Sequence, residues 1–168
     1  MGTKEHKARA PRFLQIAVLS VSSTRSLAED KSGHWIVKRA KKKGHEVVFH
    51  EVVRDHKVII EDTVKRIIET CNPHAIVATG GTGISPRDVT IEAVRPLFDK
   101  ELTAFGPLFT YLSYQDIDAA ALLSRATAGV VGRTLVFCLP GSLNACKLAC
   151  NELIFPELGH LVQHSLFG

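Results

Sequence analysis

Residues 75–90, AIVATGGTGISPRDVT, combine the pattern of a strand with that of a ligand-binding loop. Its apolar run is followed by three glycines within four positions, Gly80, Gly81 and Gly83. An apolar run without polar alternation is typical of a strand buried on both faces of a parallel sheet. Glycines at the end of such a strand allow a ligand to approach the backbone closely. We therefore predict a buried strand, 75–81, whose carboxyl end carries a binding loop.

The same strand pattern occurs in three other segments, FLQIAVLSV (13–21), HEVVFHEVV (45–53) and TLVFCLPG (134–141). Helical patterns alternate with the strands: 29–44, 58–70, 89–98 (broken by Pro96) and 142–163 (interrupted or restarted at Pro156). Segment 99–133 indicates extra helices or an elaborated crossover, and its pattern does not order them. The alternation predicts an open, mostly parallel α/β sheet with helices on both faces.

Length and composition fit one domain with a substantial core, since 45% of the 168 residues are hydrophobic. The formal net charge is +4, and residues 1–12 hold four Lys or Arg against one Glu, which leaves +1 for the rest. We interpret 1–12 as a flexible basic tail and 13–168 as a single α/β domain. The nearly neutral domain argues against nucleic acid as a partner. No apolar run reaches membrane-spanning length, so we expect a cytoplasmic protein.

Cysteine spacing in this chain contains no CxxC pair. Cys146 and Cys150 are four residues apart on a predicted helix, where free cysteines commonly act as small core hydrophobes. His160 and His164 share that spacing and, without a third ligand nearby, are interpreted as polar-face residues.

Ligands of open α/β sheets bind outside the carboxyl ends of the strands, which directs attention to the residues after each strand. Backbone N–H groups of a glycine loop can form an anion nest, so a phosphate is the natural ligand of Gly80–Gly83. The loop has no lysine for a Walker A motif, and Pro86 stands where a dinucleotide fingerprint needs glycine. A glycine-rich tight turn without a ligand is the structural alternative.

Two acids follow the second and third strands. Asp88 fits a capping box that begins at Ser85, with Pro86 at the first helical position, or it could hold Mg²⁺ or orient a phosphate. Asp55 is a loop acid on its own. If Asp55 and Asp88 project into one cleft, they could share a Mg²⁺ that bridges polyphosphate oxygens.

The remaining candidate positions also have structural alternatives. Ser142 suits a helix N-cap as well as an oxyanion contact, and Asp30 and Ser32 suit the start of the first helix. The Ser124–Arg125 pair offers a guanidinium for bidentate phosphate or carboxylate recognition, or for a surface salt bridge.

Four segments in order, VSSTRSLAEDKSGHWI, VATGGTGISPRDVTIEAVRPLFDKEL, FGPLFTYLSYQDI and LLSRATAGVVGRTLVFCLPGSLNA, resemble the MoaB/MogA family of molybdenum-cofactor biosynthesis. The resemblance extends from about Phe13 to Phe155 and is closer to the MoaB branch. It implies a three-layer α/β fold with a molybdopterin-binding cleft. It also implies Mg²⁺-dependent transfer of AMP from ATP to the terminal phosphate of molybdopterin, with release of pyrophosphate.

Residue roles follow from this resemblance. Asp88 and Asp55 match the catalytic and metal-binding acids, although Arg54 and His56 flank Asp55 where the family usually has proline before the aspartate. The molybdopterin and phosphate set is Gly80, Gly81, Thr82, Gly83, Ser142, Ser124 and Arg125. The nucleotide set is Ser22, Asp30, Ser32, Gly33 and Gly141.

The resemblance also implies a homo-oligomer, a trimer or a hexamer of two trimers, with subunit contacts in segment 99–133. Hand-over of the product to a metal-insertion enzyme is a further implied partnership. The alternative function is a non-catalytic molybdopterin-binding or assembly module of the same fold. A flavodoxin-like or general nucleotide-binding domain would follow from fold alone.

Overall fold

A computed structural model describes residues 10–167 of the chain. Within them six strands form one sheet in the spatial order 2-1-3-6-5-4. The strands are β1 (Gln15–Val21), β2 (Glu46–Val53), β3 (Ala75–Thr79), β4 (Lys100–Glu101), β5 (Thr127–Val131) and β6 (Thr134–Leu139). Neighbours among β2, β1, β3 and β6 pair in parallel, whereas β5 and β4 pair antiparallel. The predicted mostly parallel α/β sheet is therefore confirmed.

The α-helices are α1 (Lys31–Lys42), α2 (Lys57–Cys71), α3 (Thr90–Val94), α4 (Phe105–Ile117), α5 (Leu143–Ala149) and α6 (Phe155–Phe167). Short 3₁₀ turns cover Leu27–Glu29, Arg95–Leu97 and Asp118–Leu123. The 3₁₀ turn that contains Pro96 follows α3 directly, in agreement with the predicted break.

Helices cover both faces of the sheet and bury a separate apolar cluster on each. One cluster joins β-strand residues to Ile36 of α1, Phe109 of α4 and Leu158 of α6. The other joins the opposite face to Ile60 of α2 and Ile91 of α3. This arrangement forms the three predicted layers, because each face of a parallel sheet must be covered by helices.

Strand β2 differs from the prediction of burial on both faces. It lies at the edge of the sheet, where only β1 pairs with it, and none of its residues is fully buried. Its valines and Phe49 are half-buried, while Glu46 and Glu51 are exposed. A valine-rich edge strand has the same composition as a central strand, so the pattern alone could not separate the two positions.

Segment 99–133 forms β4, α4, a 3₁₀ turn and β5, so it contains strands that the sequence pattern did not indicate. At the C-terminus, α5 runs into α6 through a π-helical turn, Cys150–Ile154. The N–H of Phe155 donates to the carbonyl of Cys150, five residues back. Pro156 has no N–H to donate, and the wide turn precedes it, which explains the predicted interruption.

Residues 1–9 of the predicted basic tail lie outside the described residues. Ala10 and Pro11 are half-buried, and a side chain on Gly159 of α6 would meet the carbonyl of Pro11 at 2.7 Å. No helix in the described part of the chain is long and apolar enough to cross a membrane.

Candidate functional site

A cleft of about 420 Å³ lies at the carboxyl ends of the parallel strands. It is situated where the chain order reverses across β1, with β2 on one side and β3 on the other. Open α/β sheets form ligand crevices at this kind of switch point. Its lining residues are Ser20, Val21, Ser22, Ser23, Thr24, Arg25, Asp30, Ser32, Val52, Asp55, Thr79, Gly80, Gly81, Ser85, Arg87, Asp88, Gly141 and Ser142.

The glycine loop is fixed in position by the residues around it. Gly80 and Gly81 have φ values of +98° and +66°, a backbone region that residues other than glycine rarely adopt. A side chain on Gly80 would collide with the carbonyl of Val21. Thr90 anchors the loop from α3: its hydroxyl donates to the carbonyl of Gly80 at 2.7 Å and its N–H to that of Gly81 at 2.9 Å.

The predicted anion nest is smaller than four residues. The N–H of Gly80 donates to the carbonyl of Leu139 at 2.9 Å and is therefore not available to a ligand. Within residues 10–167, the N–H groups of Gly81, Thr82 and Gly83 donate no hydrogen bond. These three donors are the part of the loop that could bind an anion.

Asp55 lies beside this loop and is oriented by a serine. The hydroxyl of Ser23 donates to Oδ2 of Asp55 at 2.7 Å and accepts from the Asp55 N–H at 3.2 Å. A side chain on Gly81 would lie 3.0 Å from Oδ1 of Asp55, so only glycine leaves this space for a ligand. The half-buried carboxylate thus has one oxygen bound to Ser23 and the other near the glycine loop.

Asp88 closes the other end of the loop. Its Oδ2 accepts from the Ser85 N–H at 2.9 Å, and its own N–H donates to the Ser85 carbonyl at 3.0 Å. These bonds form a turn over residues 85–88, whereas α3 begins only at Thr90. Asp88 therefore makes the acid-to-backbone bond of a capping box, but the predicted helix start at this position is wrong. Oδ2 is also the atom nearest to a side chain that would be built on Gly83, at 2.6 Å.

Ser142 and Gly141 form the wall after β6. The Ser142 hydroxyl accepts from the Ala145 N–H at 3.2 Å, which is the N-cap arrangement that its sequence position indicated. The carbonyl of Gly141 accepts from the Ser32 hydroxyl at 2.9 Å. Ser32 stands at the start of α1 and Gly141 follows β6, so this bond joins the cleft wall at the start of α1 to the wall after β6.

Asp30 is the most enclosed acid of the cleft, with 5% of its surface exposed. It caps α1 by accepting from the Gly33 N–H at 2.9 Å, and it also accepts from Ser20 and from Nε2 of His50 at 2.8 Å. Burial raises the pKa of Asp30, but the hydrogen bonds from His50, Ser20 and Gly33 outweigh that effect and hold the pKa below its ordinary value. Asp30 is therefore a carboxylate with three donors.

The cleft brings together most of the residues predicted as a site. Those outside its lining are Thr82, Gly83, Gly33, Ser124 and Arg125. Arg125 donates to the carbonyl of Thr82 at 2.8 Å and to Glu92 at 2.7 Å, the surface salt bridge of the alternative interpretation. The bond to Thr82 supports the glycine loop from outside the cleft lining.

Two arginines of the cleft were missing from the predicted site set. Arg25 and Arg87 line it, and both are exposed. Each lies in a segment that follows a strand, Arg25 after β1 and Arg87 between the glycine loop and Asp88. That position was a usable signal, because a phosphate site at strand ends favours guanidinium groups from the same loops.

Cysteine thiols take no part in the cleft lining. Cys138, Cys146 and Cys150 are buried and free, as expected for core hydrophobes. Burial raises the pKa of Cys146 to about 11 and that of Cys138 to about 12. These thiols stay protonated at neutral pH and are poor nucleophiles. His160 and His164 contact each other on α6, with ring centroids 4.7 Å apart.

Comparison with known proteins gives consistent matches. A family model described as "Probable molybdopterin binding domain" matches residues 17–160. Molybdenum cofactor biosynthesis protein B of Bacillus subtilis (strain 168) is 46% identical over 164 residues, with 97% of this chain and 96% of the relative covered.

Two solved structures show the same fold. A crystal structure of molybdenum cofactor biosynthesis protein B has a TM-score of 0.90 at 43% identity, covering 94% of this chain and 98% of that chain. The tungsten cofactor synthesizing protein MoaB from Pyrococcus furiosus has a TM-score of 0.85 at 40% identity, covering 93% and 99%.

Proposed function

The chain belongs to the MoaB/MogA family of molybdopterin-binding proteins, and from this membership and its cleft we propose that it is a molybdopterin adenylyltransferase. A role in molybdenum-cofactor biosynthesis follows from the family. The finer proposal is that the chain transfers AMP from Mg²⁺-ATP to the terminal phosphate of molybdopterin and releases pyrophosphate.

One observation carries this proposal: Asp55 and Asp88 line the same cleft, on either side of the glycine loop. Asp55 approaches Gly81, and Asp88 approaches Gly83. The N–H groups between them have no acceptor among residues 10–167. Two carboxylates beside unused backbone donors suit a site where phosphates and their counter-charges meet.

The reaction needs no nucleophile from the protein. A terminal phosphate oxygen of molybdopterin attacks the α-phosphorus of ATP and forms a new P–O bond. The bond between the α-phosphorus and the oxygen that bridges to the β-phosphorus breaks, and pyrophosphate leaves with that oxygen. Catalysis then consists of positioning and charge stabilisation, the usual contributions in phosphoryl-type transfer.

The residues of the cleft divide these tasks between them. N–H groups of Gly81 and its neighbours bind the pterin phosphate. Arg25 and Arg87 are cations on the cleft wall that can pair with the triphosphate. Ser142 and Ser22 line the cleft and offer hydroxyls for substrate contacts.

Mg²⁺ fits the donor set of this cleft. Asp55 and Asp88 offer half-buried carboxylate oxygens, and Mg²⁺ is commonly bound by one or two carboxylates together with substrate phosphates. These two residues would hold the ion. When bound, it neutralises part of the charge on the polyphosphate.

A pyrophosphate-release assay with purified protein, Mg²⁺, ATP and molybdopterin tests the proposal. We expect pyrophosphate and adenylylated molybdopterin in equal amounts. Absence of pyrophosphate would contradict the enzyme proposal. Calorimetric binding of molybdopterin without binding of ATP would instead favour the non-catalytic binding module.

Asp88→Asn separates catalysis from folding in this assay. The amide oxygen still accepts from the Ser85 N–H, so the turn is retained and only the charge is removed. We expect kcat to fall by about 100-fold or more, the usual cost of losing one electrostatic group of an active site. Asp62→Asn, at an exposed position on α2, is the matched control and should retain full activity. Equal activity of both variants would return Asp88 to a purely structural role.

Self-association forms a second part of the proposal. Tyr111, Tyr114 and Leu122 are 59%, 57% and 84% exposed on α4 and the 3₁₀ turn after it. All three side chains line the same groove, and an exposed apolar patch of this kind favours a subunit interface. We expect a trimer or hexamer by light scattering, a cytoplasmic location and hand-over of the product to a metal-insertion enzyme. A monomer at micromolar concentration would contradict the interface.

A further inference from the structure

Asp30, His34 and His50 form a cluster at the junction of α1 and β2, and of the three only Asp30 also lines the cleft. Each residue offers one potential metal-ligand atom, and these atoms lie within 4.8 Å of one another. The imidazole rings of His34 and His50 meet edge to face with centroids 5.0 Å apart. None of the roles proposed above uses either histidine.

We propose that this cluster is a binding site for a divalent transition-metal ion of the Zn²⁺ type. Two imidazoles and one carboxylate are a common protein ligand set for such ions, and a fourth position remains for water or a substrate atom. Mg²⁺ prefers oxygen ligands, so this site is chemically distinct from the carboxylate pair of Asp55 and Asp88.

Hydrogen bonds around the cluster already orient the ligands. Nδ1 of His34 lies 2.7 Å from the carbonyl of Asp30, and with the proton on Nδ1 the lone pair is on Nε2. Metal-bound histidines characteristically make such a bond through the other ring nitrogen. The carboxylate of Asp30 is held by the N–H of Gly33 and the hydroxyl of Ser20. These contacts fix the carboxylate before an ion binds.

Only a small movement separates the present arrangement from a coordinated one. Nε2 of His50 is 2.8 Å from Oδ2 of Asp30. Tetrahedral coordination by Zn²⁺ places neighbouring ligand atoms about 3.3 Å apart, given metal–ligand distances of about 2.0–2.1 Å. An ion can therefore replace the proton that these two atoms share. The three ligand atoms already lie within 4.8 Å of one another, so the exposed side chain of His34 needs only a small shift to complete the set.

Metal binding would join the start of α1 to the edge strand β2. Asp30 and Ser32 at the start of α1 both line the cleft, and Ser32 also bonds to Gly141. An ion held by Asp30, His34 and His50 would therefore fix the part of the cleft wall formed by the start of α1. This part contains Asp30 and Ser32, two of the residues assigned to the nucleotide. Binding of an ion at this cluster does not require adenylyl transfer.

Calorimetric titration of metal-free, chelator-treated protein with Zn²⁺ tests this site directly. The reference chain carries His160→Gln and His164→Gln, so that the histidine pair on α6 does not contribute. We expect one Zn²⁺ per chain with a dissociation constant of about 1 μM or tighter. Substitution with Co²⁺ should give the visible absorption of a low-coordinate ion with nitrogen ligands.

His34→Gln and His50→Gln, each added to that reference chain, should weaken Zn²⁺ binding at least tenfold and remove the Co²⁺ absorption. Circular dichroism should show both variants folded without metal. His34 is exposed, so its variant keeps the test valid even if His50→Gln does not fold. Unchanged affinity in the His34→Gln variant, or no binding by the reference chain, would overturn the proposal. The His160→Gln and His164→Gln changes alone should leave the binding of one Zn²⁺ intact.

Discussion

Asp30 and Asp55 line the same cleft but have different surroundings. Asp30 is almost fully buried and accepts from Ser20, Gly33 and His50. Asp55 is half-buried, and its carboxylate accepts from Ser23. A buried carboxylate with three donors stabilises the fold, whereas one with an oxygen near an open loop is available to a ligand. A place in the cleft lining therefore does not by itself give an acid a catalytic role.

Asp30→Ala should show the largest effect of this difference. The substitution removes an N-cap and leaves two buried donors and the half-buried imidazole of His50 without an acceptor, so we expect the free energy of unfolding to fall by roughly 3 kcal/mol. Asp55→Ala should cost less than about 1 kcal/mol, because water replaces its exposed contacts. Urea denaturation of both variants measures the comparison. Equal losses of unfolding free energy would show that the two acids contribute equally to the stability of the fold.

The free energy of unfolding at acid pH should depend on the ionisation of Asp30. Its pKa in the folded protein is lowered, while the unfolded-state pKa is about 3.9. The ionised group therefore contributes its full stabilisation above about pH 4, and this contribution is lost as pH falls through the folded-state pKa. The difference in unfolding free energy between the wild-type chain and Asp30→Asn should narrow as pH falls below about 4. A constant difference from pH 7 to pH 3 would contradict this assignment.

Ser23→Ala tests the orientation of Asp55 and should give the smallest effect. Loss of the 2.7 Å hydrogen bond frees the carboxylate to rotate, so we expect kcat to fall roughly threefold with little change in unfolding free energy. Ser26→Ala is the matched control, because Ser26 bonds to Glu29 on the same loop and does not line the cleft. A similar loss of kcat in both variants would indicate a general effect of the loop.

The central fold could be predicted from the sequence because its parallel strands are continuous apolar runs. β1, β3 and β6 are buried along nearly their whole length. β4 and β5 were not predictable, since one has two residues and the other is a five-residue strand that pairs antiparallel next to a tight turn. Lys100 of β4 pairs with Val130 of β5, which is distant in the sequence, whereas β5 pairs with β6 across the tight turn.

The site was predictable to the extent that it depends on strand ends. Those ends placed Asp55, Asp88 and Gly81 in one cleft. Whether Arg125 lines the cleft could not be predicted from its spacing, because the direction of its side chain depends on how segment 99–133 folds. The environment of Asp30 was also inaccessible, since His50 approaches it from the edge strand.

The π-helical turn between α5 and α6 has a consequence for helical phase. One additional residue in a turn rotates everything that follows by about 100° around the helix axis. Leu158 and Val162 are fully buried beyond the turn, as Cys146 and Ala149 are before it. Deleting a single residue from 150–154 would restore regular α-helical bonding, yet it would rotate Leu158 and Val162 away from the sheet. The wide turn is therefore the element that keeps the two apolar faces of the C-terminal helices aligned.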